Sequence, residues 1–116
     1  MKKLLLICIL GILSSFVFSK PTQQVDAKKH EKICRNYMMI ANEIMQQKQS
    51  GKSLLTALRV NDLVLKDTKD ENMANIINLI IRDAYNQPNY STPSIKQEQL
   101  NEFSAKYYLG CMAMYE

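Results

Sequence analysis

AKKHEKICRNYMMIANEIMQQKQ, residues 27–49, contains no glycine or proline and repeats apolar side chains at three- and four-residue spacing. Ile33, Tyr37, Ile40 with Ala41, and Ile44 make the stripe, flanked by Cys34, Met38 and Met45. That period is helical, and a stripe this broad reads as a face turned toward a core. The pattern predicts a helix over 27–49, with Asp26 as N-cap candidate and Gly51 as its stop. Cys34 then points inward.

The same reading carries outward along the chain. Ser53 is placed to cap a short second helix bearing Leu54, Leu55 and Leu58 and ending near Asn61-Asp62, after which Leu63-Val64-Leu65 reads as a buried connector. Thr68 followed by Glu71 forms a capping box for a third helix, whose apolar face is Met73, Ile76, Ile77, Ile80, Ile81, Ala84 and Tyr85. Pro88 ends it, and 86–92 is a polar, proline-bounded loop with Tyr90 inside. Thr92 as cap and Pro93 at the first helical position open a last helix, on which Leu100, Phe103, Tyr107, Cys111 and Met114 recur at helical spacing. No internal repeat or strand-like alternation interrupts the series. The expected fold is all-α: a small four-helix bundle over 27–116, behind a flexible tail at 20–26.

Ahead of that tail, residues 1–19 read as a secretory signal peptide. Lys2 and Lys3 form a positive start, Leu4 to Leu13 an apolar segment, and Val17-Phe18-Ser19 an acceptable cleavage site. The apolar stretch falls short of the roughly 20 residues of a spanning helix. Export changes the meaning of the cysteines. Cys8 goes with the leader, and Cys34 and Cys111, 77 positions apart on two apolar helical faces, are left in an oxidising compartment, where they are expected to form one disulfide joining the first and last helices. Closing so long a loop is worth roughly 4.5 kcal/mol in the chain-entropy description.

The formal charge of +4 is unevenly spread. Residues 20–52 hold seven basic side chains against Asp26, Glu31 and Glu43, whereas residues 53–116 hold six against eight acids. A basic end is compatible with an anionic envelope surface or an acidic partner, and equally with a solvated helix face. Nucleic acid is not indicated: no basic run is interleaved with aromatics.

Motifs of catalysis are sparse. One histidine, His30, and two distant cysteines make no zinc site, and neither Cys-x-x-Cys nor a haem-attachment motif occurs. Gly51-Lys52-Ser53 resembles the end of a phosphate loop but lacks the upstream glycine and strand. Candidate carboxylate pairs among Glu43, Asp62, Asp67, Asp70 and Glu71 are accounted for by helix caps and solvent faces. No catalytic residue, metal or cofactor is assigned. The side chains that suggest contact are aromatic: Tyr85 and Tyr90 flank Asn86-Gln87-Pro88-Asn89, so Tyr85, Pro88 and Tyr90 are the candidate partner contacts, with Tyr90 expected to be exposed.

Four stretches carry a resemblance: Cys34 in the first helix, the block 44–51 (IMQQKQSG), the segment 84–90 (AYNQPNY) and Tyr108-Leu109-Gly110-Cys111. In these the chain resembles a family of uncharacterised small exported helical proteins of Gram-negative bacteria and their prophages, in which arginine is commoner where Lys48 stands here. The resemblance implies the helical fold and no activity. The expectation is therefore an exported, periplasmic or secreted, non-catalytic binding protein whose partner is an envelope protein or an anionic envelope surface. The alternatives are a membrane-associated lysis regulator or superinfection-exclusion factor of phage type that retains its leader, and a small envelope-acting hydrolase or lyase.

Overall fold

A computed structural model describes residues 20–116, so the leader assigned to 1–19 lies outside the described residues. Four helices follow one another: α1 (Lys20–Gln49), α2 (Leu54–Thr68), α3 (Glu71–Tyr85) and α4 (Pro93–Ala113). The chain divides at Ile33/Cys34 into two compact units. Of the first, the described part is the opening of α1. The second, Cys34–Glu116, is the helical body.

α1 starts earlier than the capping argument puts it. Helix replaces the expected tail at 20–26, and Asp26 lies within α1 rather than capping it. Pro21 does not prevent this, because a proline in the first turn forgoes only an N–H that would lack an intrahelical partner anyway.

α2 also runs on. It continues through Leu63-Val64-Leu65 to Thr68, with Leu63 exposed rather than in a buried connector. No glycine or proline stands at Asn61-Asp62 to halt it; the stop is Lys69, at φ 57°, whose N–H donates to Leu65 O at 2.8 Å. The cap of α3 is Asp70, not Thr68: its Oδ1 accepts from the Met73 N–H at 3.0 Å. Thr68 ends α2, donating to Val64 O at 2.8 Å and accepting from the Asp70 N–H at 3.3 Å. Thr92 and Pro93 open α4 as expected, although the threonine side chain makes no cap hydrogen bond.

The core gathers Ala41, Ile44 and Met45 from α1, Ala57 from α2, Ile80, Ile81 and Ala84 from α3, and Leu100 and Phe103 from α4. Met114, expected on the α4 stripe, lies at the C-cap and is exposed. Within the body α1 and α4 are antiparallel, as three links show. Gln49 Nε2 donates to Lys96 O at 2.9 Å, Asn42 Nδ2 to Ser104 Oγ at 2.9 Å, and Cys34 is bonded to Cys111 with their Cα atoms 5.4 Å apart. The disulfide joining first and last helices is thus present. Cys34 is fully buried and Cys111 partly so.

Candidate functional site

Both long connections, 50–53 and 86–92, lie at one end of the body. The first folds on its own backbone: the Ser50, Gly51 and Lys52 N–H groups donate to Gln46, Lys48 and Gln47 carbonyls, each at 3.0 Å, and Gly51 supplies a φ of 93° that disfavours other residues. Ser53 then caps α2 by accepting from the Thr56 N–H at 3.1 Å, which is the role of the serine in the Gly51-Lys52-Ser53 triplet.

The second connection is held differently. Lys48, in the last turn of α1, is only 7% exposed, and its Nζ donates to the carbonyls of Gln87 and Pro88. Gln99 of α4, equally buried, donates from Nε2 to Pro88 O at 2.9 Å. Gln49 Nε2 in turn donates to Gln99 Oε1 at 3.1 Å. Two helices therefore grip the loop by its backbone. No ion pair among the described residues engages Lys48, and burial lowers its pKa from the ordinary lysine value.

Of the three candidate contacts, the structure treats each in its own way. Tyr85 packs against the core and its hydroxyl donates to Lys52 O at 2.6 Å, so it struts one connection against the other. Pro88 exposes its ring while its carbonyl receives Lys48 and Gln99. Tyr90 is 40% exposed beyond these anchors. It edges a groove of about 320 Å³ whose other walls include Ile95, Glu98, Glu102 and Phe103 of α4.

A second polar device lies farther along α4. Asp83 Oδ2 accepts from Lys106 Nζ and from the Tyr107 hydroxyl, each at 2.6 Å. Burial alone would raise the Asp83 pKa; the hydrogen bonds from Lys106 and Tyr107 outweigh it and hold the carboxyl below its usual range. Burial and the neighbouring Asp83 raise the Tyr107 pKa. Beside this pair lies an apolar groove floored by Tyr37, Ile76, Leu79 and Gly110. Among the described residues no three of His, Cys, Asp or Glu gather as a metal site would require, and no helix is long and apolar enough to cross a membrane.

Sequence reasoning reached Tyr90 but not what holds its loop. Lys48 reads as a solvated cation by type, yet it continues the Ala41, Ile44, Met45 stripe one turn on, and that register is what buries it. Gln99 is the same case four residues before Phe103, as is Asn61 four after Ala57. A polar residue in step with an apolar stripe was the available signal. No family model, curated protein or solved structure matches the chain.

Proposed function

We propose that the chain is an exported, periplasmic binding protein without catalytic activity, and that it engages an envelope protein through the loop at 86–92. The observation that supports this is the grip on that loop by Lys48 and Gln99, which orders the backbone while leaving Tyr90 outward. An aromatic ring on a pre-ordered loop loses little conformational freedom when a partner covers it. The disulfide suits an oxidising compartment, which supports export.

A photo-crosslinking side chain at Tyr90, with exposed Asn75 on α3 as control, tests the reading in exported protein. A discrete envelope adduct formed from position 90 and not from 75 is expected. Tyr90→Ala is expected to keep the unfolding free energy within about 1 kcal/mol while reducing association with the captured partner. Equal labelling from both positions, or a Tyr90→Ala protein that associates normally, overturns the proposal.

A further inference from the structure

The groove beside Tyr90 has a chemistry of its own. Its apolar surface comes from Tyr90 and from Ile95, which is 41% exposed, above the buried Phe103 of the core. Its rim carries Glu98 and Glu102, four residues apart on α4 and both exposed to solvent. Two like charges at that spacing oppose the helix that bears them. No ion pair or hydrogen bond among the described residues engages either carboxylate. Lys106, one turn beyond Glu102 and also on the groove wall, is paired with Asp83 at 2.6 Å instead, so the rim keeps its negative charge.

From this geometry we infer that the groove receives a cationic segment of a partner protein, one in which Lys or Arg alternates with apolar or aromatic side chains. This rests on the reading of the Tyr90 loop as a contact and adds the class of partner. Two features select that occupant. Paired, uncompensated carboxylates attract and orient basic side chains. Tyr90 lines the groove, where its aromatic ring can receive a guanidinium or ammonium, and the exposed Ile95 offers an apolar seat for the neighbouring side chain, which a simple polyamine would leave empty. The clamp fixes one wall of the groove, because the carbonyl that Lys48 and Gln99 share belongs to Pro88, two residues before Tyr90.

The test uses ¹⁵N-labelled, exported, disulfide-bonded protein titrated at low ionic strength with three blocked hexapeptides: alternating Leu and Arg, alternating Leu and Gln, and alternating Leu and Glu. The Leu–Arg peptide is expected to shift the amide signals of Tyr90, Glu98 and Glu102, with an affinity of millimolar or better that falls as salt is added. A Glu98→Gln/Glu102→Gln double variant is expected to weaken it about tenfold, with an unchanged helical circular dichroism spectrum. If the Leu–Gln or Leu–Glu peptide binds at Tyr90 as well as the Leu–Arg peptide, or if the double variant binds the latter undiminished, the cationic assignment is wrong while the loop remains a contact. If no peptide shifts the Tyr90 loop, and the photo-crosslinker there captures nothing, both readings fall.

Discussion

Within the body, the antiparallel pair α1 and α4 is fastened at both ends, by unlike means. At one end Cys34 and Cys111 share a covalent bond. At the other, Lys48, Gln49 and Gln99 satisfy the carbonyls of Gln87, Pro88 and Lys96. The covalent end acts mainly on the unfolded chain, whose freedom it removes, and asks little of the surface around it. The polar end acts only in the folded state, where it sets the path of a particular loop. Its cost is a buried ammonium, tolerable because the Gln87 and Pro88 carbonyl oxygens accept its hydrogen bonds. One end supplies stability, and the other converts stability into a presented surface.

Breaking the covalent end has the largest expected effect. Cys34→Ala is expected to lower the unfolding free energy by about 2–5 kcal/mol, read as a fall in the urea midpoint that reduction of the wild type reproduces. The Tyr90 loop of this variant is expected to keep its local protection in hydrogen exchange until the whole body opens.

Breaking the polar end is expected to reverse that pattern. Lys48→Met removes a donor from two carbonyls and is expected to destabilise by about 1–3 kcal/mol, with amide exchange accelerated at Gln87 and Asn89 to Ser91 before elsewhere. The pH dependence carries a sign. Lys48 has a lowered pKa in the fold, so between that value and the ordinary lysine value its unfolded form binds more protons and its own contribution to stability rises with pH, against a fall from Tyr37, Tyr85 and Tyr107, whose pKa values the fold raises. The methionine variant is expected to lose this rise.

The smallest effect is expected at Asp83, whose partner Tyr107 lies one turn before Cys111. Its carboxyl is held below the ordinary aspartate value. Its contribution is therefore complete above the unfolded-state pKa and disappears as pH falls through the folded-state one. Asp83→Asn is expected to cost about 1 kcal/mol at neutral pH, little of it from the exposed Lys106 pair. The gap between variant and wild type should close in acid unfolding experiments. A gap that persists at low pH would mean that shape, not charge, ties α3 to α4 here.

The two ends also differ in how far the sequence discloses them. A pair of cysteines on apolar helical faces announces itself, because few other uses of cysteine fit that setting. The four helices were legible for a similar reason, since apolar spacing survives without knowledge of neighbours. Their limits were less so: Asp70 displaced Thr68 as the cap of α3, and the αL stop at Lys69 has no glycine to mark it. The grip on the loop was not legible at all. Its meaning depends on Gln87 and Pro88, 39 and 40 residues away from Lys48, and residue type alone assigns a lysine to solvent. Glu98 and Glu102 were hidden likewise: what distinguishes them is the groove they share with Tyr90, which only the fold assembles.

Cys34 is the first residue of the compact helical body, and Cys111 stands close to its end. The bond between them makes the body a closed ring of chain. A pull applied before Cys34 and after Cys111 is carried by sulfur and never reaches the core, and a single protease cut in 50–53 or 86–92 severs the backbone without releasing a fragment. In mechanical terms the body is shielded in series and redundant in parallel.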